Sequence, residues 1–410
     1  MTNPSLIRMA DYDYLLPEEQ IAQFPLKERD ASRLLVSRDG KISTALFSDI
    51  DSYIPSESLL VFNDTRVIRA RLLFRKETGG LIEIFCLEPL SPVTAVEASF
   101  IQTGECVWKC LIGNVKRWKT GFLKRELAGL SEGGQLFAER TGNLEDGSFA
   151  IAFHWNPPEL TFSQVMEEAG EVPLPPYIHR HTVAEDASRY QTIYARHEGS
   201  VAAPTAGLHF TEKVMERIHG KGCRFSNVTL HVGLGTFRPV TTQYLGEHVM
   251  HREKIVVTRR TLEELLEQEE RPIIAVGTTS ARTLESLYWM GVKILSGENQ
   301  GELTVFQWDP YTVETDSFPR KEALRALVGH LDQNSSEALH AETQLIIVPG
   351  YQFRIVSGMI TNFHLPQSTL LLLVAAMTGP QWKTVYRFAL EQNFRFLSYG
   401  DCCLFFTEKV

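Results

Sequence analysis

The sequence has few of the features that mark membrane, secreted or metal-binding proteins. Its longest aliphatic run, residues 370–377, is much shorter than the ~20 residues that a membrane span requires. Residues 11–14 carry acids and tyrosines rather than a basic stretch before an apolar one, so no secretory signal is expected. The six cysteines include no Cys-x-x-Cys pair and no zinc-like spacing with histidines, so we expect reduced thiols and no metal in the protein. These absences predict a cytoplasmic protein.

The chain also lacks an excess of positive charge, and it is too long for a single core. A formal charge of −9 disfavours unselective nucleic-acid binding, and 410 residues favour two domains. Residues 67–156 hold short alternating stretches between glycine-containing turns, which predicts an inserted small antiparallel β-barrel domain. Residues 1–66 and 157–410 alternate strand-like and helix-like segments, which predicts a discontinuous α/β main domain. Within it, residues 295–342 are polar and poorly periodic and predict a loop-rich excursion.

Four segments are unusually rich in glycine, histidine and threonine: residues 203–211, 231–240, 275–286 and 361–369. Glycine lets the backbone approach a ligand closely, and polar loops between apolar strands are where binding concentrates. The candidate binding residues in these segments are Thr205, Gly207, His231, Gly233, Gly235, Thr236, Thr278, Thr279, Arg282 and Asn362. The Gly-x-Gly of the second segment lacks the third glycine and the helix of a dinucleotide fingerprint, so a ligand-holding turn is favoured over a dehydrogenase.

The third segment predicts a strand that turns into a helix near Thr278 and Thr279. The first turn of such a helix offers unpaired N–H groups and the positive end of the helix dipole, which suit a carboxylate or a phosphate. Arg282 in the same turn could clamp that anion. The plainer alternative is simple N-capping by Thr279 or Ser280.

Two histidines and two aspartates are the candidate catalytic residues. His209 and His364 could donate or accept a proton near neutral pH, although a lone histidine is more often structural. Asp64 and Asp401 add carboxylates with polar neighbours that we include in the candidate binding set, namely Asn63, Arg66 and Tyr399. An aspartate near an arginine is usually held ionised, which suits the binding of a cation better than the work of a strong base.

One stretch is locally basic despite the acidic chain. Lys116, Arg117 and Lys119 lie together with Trp118 between them. Basic residues with aromatics can hold phosphates and stack bases, so Lys116, Arg117, Trp118 and Lys119 form a candidate nucleic-acid-binding ribbon. The alternative is a solvated face of a β-ribbon.

Long motifs in a fixed order resemble a known family over nearly the whole chain. They occupy residues 11–17, 29–35, 61–67, 174–178, 190–194, 199–211, 231–240, 276–286, 361–369 and 395–401. Because of these motifs, the chain resembles the S-adenosylmethionine:tRNA ribosyltransferase-isomerases of queuosine biosynthesis. The resemblance implies an α/β domain joined to an inserted β-barrel.

The resemblance also implies a reaction and its partners. The ribosyl moiety of S-adenosylmethionine, which is consumed, is transferred and isomerised onto 7-aminomethyl-7-deazaguanine in the tRNA anticodon, giving epoxyqueuosine, adenine and methionine. In that chemistry His209 and His364 would move protons. Ionised Asp64 and Asp401 would favour the sulfonium, and Arg282 would hold the methionine carboxylate. A monomer that contacts no membrane is expected.

Three positions depart from the family pattern. Ser357 replaces an aspartate, Gln367 replaces a lysine, and Arg252 stands where serine is common. These changes leave open a paralogue that uses the same cofactor on another RNA or nucleoside, and a non-catalytic RNA-binding relative. A Ser-His-Asp hydrolase built on Ser280 is disfavoured because the Gly-x-Ser-x-Gly elbow is absent.

Overall fold

A computed structural model describes residues 3–76, 79–127, 129, 133–145, 147–233, 239–298, 303–312 and 318–407. The strands are β1 (Arg33–Arg38), β2 (Lys41–Leu46), β3 (Leu59–Asn63), β4 (Thr65–Val67), β5 (Arg71–Arg75), β6 (Leu81–Ser91), β7 (Glu105–Gly113), β8 (Phe122–Glu126), β9 (Gln135–Asn143), β10 (Phe149–Asn156), β11 (Gly170–Glu171), β12 (His197–Ser200), β13 (Arg224–Leu230), β14 (Glu253–Thr258), β15 (Ile273–Val276), β16 (Leu303–Val305), β17 (Ala338–Thr343), β18 (Gly358–Asn362) and β19 (Cys402–Phe406). The helices are α1 (Val96–Phe100), α2 (Phe162–Ala169), α3 (Asp186–Arg189), α4 (Glu212–Gly220), α5 (Arg259–Glu267), α6 (Thr278–Leu295), α7 (Asp309–Thr312), α8 (Arg320–Gln333), α9 (Thr369–Thr378) and α10 (Trp382–Glu391).

The larger sheet is mixed, with a parallel centre. Its strand order is β16-β17-β14-β13-β3-β15-β18-β19-β1-β2, and β13, β3, β15 and β18 run parallel. Strands β3, β15, β18 and β19 are buried at every position, as expected for strands that are covered on both faces. The predicted α/β architecture is confirmed by this sheet and its helices.

Alternate residues of the central strands enter two separate apolar cores. In β3, Leu59 and Val61 face one core, whereas Leu60 and Phe62 face the other. Helices α6, α8, α9 and α10 contribute to the first core, and α4 contributes to the second. Because side chains alternate along a strand, a continuous apolar run such as β3 can bury both faces only in such a layered arrangement.

The smaller sheet is antiparallel throughout and curls. Its order is β11-β5-β6-β7-β10-β9-β8, and its inner face packs with α1 and α2 around a core that includes Trp108, Phe153 and Phe162. Arg125 in β8 donates from Nη1 to the carbonyl of Leu73 in β5 over 2.8 Å, so the two strands approach each other. The sheet is therefore a curled half-barrel. It takes in α2 and β11, which follow the predicted boundary at residue 156.

The expectation of a loop-rich region over residues 295–342 was wrong. This region contains β16, β17, α7 and the 14-residue α8. The apolar stripe of α8 consists of Ala323, Leu324, Leu327 and Leu331, all buried, on an otherwise polar helix. A single narrow apolar stripe with helical spacing is difficult to recognise in a sequence segment that is otherwise polar.

In the described part of the chain, no helix has the length and apolarity that crossing a bilayer would take.

Candidate active site

A cleft opens at the carboxyl ends of the neighbouring parallel strands β15 and β18. After β15, Gly277 adopts a positive φ of 93° and α6 begins; after β18, the chain continues through Phe363 and His364. After β3 the chain forms β13 on one side of it and then β15 on the other side, so the direction in which strands are added reverses at β3. Ligands bind α/β sheets at the carboxyl ends of strands next to such a reversal.

The described lining of the cleft mixes polar and apolar side chains and contains no lysine, arginine or carboxylate. Its polar members are Tyr177, Thr205, Thr278, Thr279, Thr361, Asn362, His364, Ser368 and Ser398. Its apolar members are Ala203, Pro204, Ala206, Val232, Phe363, Leu365, Leu370 and Leu397, with Gly277 at the turn. Hydroxyl groups and the start of α6 therefore face the same space as aliphatic and aromatic surface.

His364 is the imidazole that lines the cleft. Its Nε2 lies 2.9 Å from Oγ1 of Thr361, its main-chain N–H bonds the hydroxyl of Tyr386, and its carbonyl accepts from the hydroxyl of Tyr14. Burial lowers the pKa of His364 to about 3, so the ring is neutral near physiological pH. A fixed neutral imidazole at the cleft wall can accept a proton or a hydrogen bond.

His209 lies beneath the cleft lining and has contacts at both ring nitrogens. Nδ1 is 2.8 Å from Oγ of Ser32, and Nε2 is 3.0 Å from Nδ2 of Asn362. The hydroxyl of Thr205 donates to Oδ1 of Asn362 over 2.8 Å. Burial lowers the pKa of His209 to about 3. The ring therefore fixes the amide of Asn362. Asn362 lines the cleft, whereas His209 does not.

The two candidate aspartates are buried outside the cleft lining. Asp401 accepts the main-chain N–H groups of Arg33 and Arg395 over 2.9 and 2.8 Å. Asp64 accepts the hydroxyl of Thr229 over 2.7 Å, and Nε2 of His197 lies 3.8 Å away. Burial raises the pKa of both carboxyls against the opposing effect of these hydrogen bonds. Their placement supports roles in holding the backbone rather than contact with a bound cation.

Arg282 also lies outside the lining, although Thr278 and Thr279 on the same helix belong to it. Its Nη1 is 2.6 Å from Oε2 of Glu253 in β14, and its Nε donates to the carbonyl of Leu345 over 3.1 Å. The predicted clamp on a ligand carboxylate is therefore occupied by an internal ion pair.

The other predicted binding residues are spread around the cleft. Asn63 holds the main chain of Leu230, and Tyr399 donates to Asp186. A Cβ on Gly207 would lie 1.9 Å from the Tyr194 hydroxyl oxygen, so this glycine serves close packing. Arg66 borders a different cavity, while His231 and Gly233 flank the lining residue Val232, with Nδ1 of His231 3.2 Å from the hydroxyl of Thr65. Gly235 and Thr236 lie outside the described residues.

The basic ribbon belongs to the smaller sheet, between β7 and β8. Lys116, Arg117 and Lys119 are exposed. Trp118 is only 1% exposed and its Nε1 donates to the carbonyl of Gly121, so the predicted stacking of a base on this ring is wrong.

Several lining residues were not predicted individually. Tyr177 and Ser398, whose hydroxyls are 2.6 Å apart, come from motifs that the family resemblance already marks. Ser368 lines the cleft and caps α9. Membership of these motifs is the one signal that could have identified Tyr177 and Ser398 from the sequence.

The three departures from the family pattern do not line the cleft. Ser357 precedes β18 at the end opposite the cleft, where it bonds the main chain of Ile273. Gln367 adopts a φ of 52° and bonds the carbonyl of Tyr12 through its main chain. Arg252 is exposed near Glu342.

Among the described residues, no group of three or more histidine, cysteine or acidic side chains is close enough to hold a metal ion.

An α/β sheet with a neutral, partly apolar cleft at its carboxyl edge is typical of an enzyme that binds a small organic molecule. The chain belongs to the queuosine biosynthesis protein family, whose model matches residues 9–405. Family membership confirms the resemblance predicted from the motifs.

Curated relatives give the class of enzyme. A protein of Trichlorobacter lovleyi is 39% identical, covering 96% of this chain and 98% of the relative, and one of Syntrophotalea carbinolica is 40% identical, covering 97% and 99%. Both are named S-adenosylmethionine:tRNA ribosyltransferase-isomerase, which confirms the predicted enzyme class and its place in queuosine biosynthesis. A solved S-adenosylmethionine tRNA ribosyltransferase of Thermotoga maritima is 30% identical, covers 96% of this chain and 99% of that chain, and has a TM-score of 0.45.

Proposed function

We propose that the cleft at the ends of β15 and β18 binds S-adenosylmethionine and transfers its ribosyl moiety, with isomerisation, to 7-aminomethyl-7-deazaguanine in tRNA. The products are epoxyqueuosine-tRNA, adenine and methionine. The observation that carries this assignment is the uncharged lining of a cleft in a chain of this family. A sulfonium cation enters such a lining without repulsion from lysine or arginine.

The described walls of the cleft fit the parts of S-adenosylmethionine. The start of the 18-residue α6, with Thr278 and Thr279, suits the methionine carboxylate because it presents free N–H groups and a positive dipole end. Aliphatic surface and Phe363 suit the adenosine portion. When bound, the sulfonium acidifies the neighbouring C5′ hydrogens.

His364 is the group we assign to proton transfer. It is neutral, it lines the cleft, and Thr361 fixes its ring. Burial makes the free ring a weak base, with a pKa of about 3, so proton abstraction by His364 requires that the bound substrate raise this pKa. His209 is a positioning residue that acts through Asn362.

We infer that tRNA is the macromolecular partner and that the smaller sheet is an inserted β-barrel domain that meets it. The exposed charges of Lys116, Arg117 and Lys119 support this contact with phosphates. We propose that the protein acts as a monomer in the cytoplasm, where tRNA is modified.

The test is to incubate the protein with S-adenosylmethionine and tRNA that carries the aminomethyl-deazaguanine base, and to measure adenine by chromatography. We expect adenine only with that tRNA, and epoxyqueuosine in its nucleoside digest. Matched tRNA with guanine at the same position is the control. Adenine release that does not depend on the base, or none at all, would contradict the proposal.

A further inference from the structure

Two arginines, Arg29 and Arg189, line a small cavity next to the cleft, and Arg395 lies beside the lining residue Gly400. All three bond to main-chain carbonyls. We call Arg29, Arg189 and Arg395 the arginine cluster. Arg29 donates to the carbonyls of Leu208 and Ser188 over 3.1 and 2.7 Å. Arg189 donates to the carbonyls of Lys27 and Leu26, each over 2.6 Å, and Arg395 donates to the carbonyl of Phe24. The guanidinium groups are thus held in place by backbone.

The arginine cluster has no ion-paired carboxylate among the described residues, unlike its neighbour Arg180. No side-chain ion pair within 4.0 Å joins any of its members to a described carboxylate. Arg180 nearby is the contrast, because both its terminal nitrogens lie 2.7 Å from the carboxylate of Asp186. Asp401 is close to Arg395, but its two oxygens accept main-chain N–H groups.

Positive charge in a partly buried place is unfavourable unless it is paired, and for Arg395 the charge of Asp401 offsets part of this cost. Burial, and then the like charge of Arg189, lower the pKa of Arg29, and burial lowers the pKa of Arg395. Two buried donors, Nε of Arg189 and Nη1 of Arg395, have no acceptor among the described residues. A bound anion would neutralise the charge and accept these hydrogen bonds.

The position of the cavity identifies the anion. It is lined by Arg29, Arg189, Ser32, His209 and Tyr399, with Glu28 at its exposed rim. Ser398 lines both this cavity and the cleft. An anion here lies one side chain away from a base in the cleft, and in RNA the nearest anionic group to a base is the phosphodiester of its own or the adjoining nucleotide.

We propose that the arginine cluster binds a phosphodiester of the tRNA beside the nucleotide that enters the cleft. Planar guanidinium groups match phosphate oxygens in pairs, and the carbonyl contacts keep them ordered before the RNA arrives. The proposal rests on the proposed function, since it names a part of the same substrate.

The experiment measures the affinity of an anticodon stem-loop for the wild-type protein while single phosphates are replaced by neutral methylphosphonates. We expect one position within two nucleotides of the deazaguanine to lose about tenfold in affinity, as one lost charge-assisted contact predicts. Because wild-type protein is used, the folding of a variant does not enter. If no position near the base changes the affinity, the proposal is wrong.

The variant R189Q tests whether Arg189 contacts the phosphate that the methylphosphonate series identifies. Its stem-loop affinity should fall about tenfold, its log–log salt slope should shrink by about 0.7, and the sensitive methylphosphonate should have no further effect. R189K should keep the slope. R260Q, at an 86% exposed arginine of α5, is the control for net charge. A full methylphosphonate effect in folded R189Q would overturn the assignment.

Two further measurements distinguish a phosphodiester of the tRNA from free inorganic phosphate as the bound anion. If inorganic phosphate raises the melting temperature of wild-type protein but not of R189Q, while the stem-loop results show no effect, the site takes free phosphate and the RNA assignment is wrong. Adenine release by the wild-type protein is scored separately. Its failure would contradict the proposed function without changing the binding result.

Discussion

The cleft lining and the layer directly beneath it contain the same kinds of polar side chain in opposite situations. In the lining, Thr279 and His364 face open space. In the layer beneath, which we define as His209, Arg282, Thr283 and Asp401, the polar groups bond to the protein's own atoms. Groups in open space are free to act on a ligand, whereas groups in the supporting layer hold the site in shape. Substitutions in the two regions should therefore separate activity from stability.

The largest expected effect is on activity and comes from the lining. We expect H364Q to lower the rate of adenine release by about 10²- to 10⁴-fold, because a positioned proton-transfer group contributes that much. The free energy of unfolding should change little. H340Q, at an exposed histidine of β17, is the control and should keep full activity. Comparable rates for H364Q and H340Q would remove His364 from the mechanism.

The next effect is on stability and comes from the supporting layer. D401N replaces an acceptor oxygen with an N–H₂ group that faces a main-chain donor, so one buried N–H loses its partner. We expect the free energy of unfolding in urea to fall by about 2–3 kcal/mol. D39N, at an exposed aspartate in a turn, should change it by less than about 0.5 kcal/mol. An equal result for both variants would show that Asp401 does not brace these segments.

The third effect is on the pH dependence of stability. Burial lowers the pKa of His209 to about 3, below its unfolded value of 6.5, so the unfolded chain binds the extra proton between these values. Stability is therefore complete above about pH 6.5 and is lost as the pH falls toward 3. Between pH ~7 and ~5 the wild-type protein should lose about 2 kcal/mol that H209Q does not lose. Identical pH slopes in urea unfolding, with H340Q alongside, would refute the assignment.

The smallest effect compares two threonines one turn apart on α6. Thr279 lines the cleft, whereas the hydroxyl of Thr283 donates to the carbonyl of Thr279 over 3.0 Å and does not line it. We expect T279V to raise KM for S-adenosylmethionine about fivefold, as the loss of one hydrogen bond of about 1 kcal/mol predicts. T283V should leave KM unchanged and cost about 1 kcal/mol of stability. If both raise KM equally, the two regions are not distinct.

Sequence patterns predicted the elements whose apolar spacing is strong. The strand that turns into a helix near Thr278 and Thr279 was predicted, and β15 and α6 meet there. The region of α8 was missed because its stripe is narrow. The curl of the smaller sheet depends on contacts such as that between Arg125 and Leu73, which are 52 positions apart and leave no local pattern.

The motifs located the walls of the site but not the direction of each side chain. Thr278, Thr279, Asn362 and His364 lie in the lining, as predicted for binding or catalysis. Asp401 and Arg282 do not, because their partners come from elsewhere in the chain: Arg33 lies 368 positions from Asp401, and Glu253 lies on β14. A local motif therefore predicts where a polar residue lies along the chain, but it does not predict which distant residue is its hydrogen-bond or ion-pair partner.

The place of β19 in the larger sheet has a consequence for protein synthesis. This strand, near the end of the chain, lies between β18 and β1, and pairs residues 402–405 with residues 34–37. On the ribosome the hairpin of β1 and β2 emerges early, yet its neighbour is made hundreds of residues later. A nascent chain that stalls before Cys402 would therefore leave β1 with an open edge, ready to pair with another chain. Chaperone protection should be needed most during this interval.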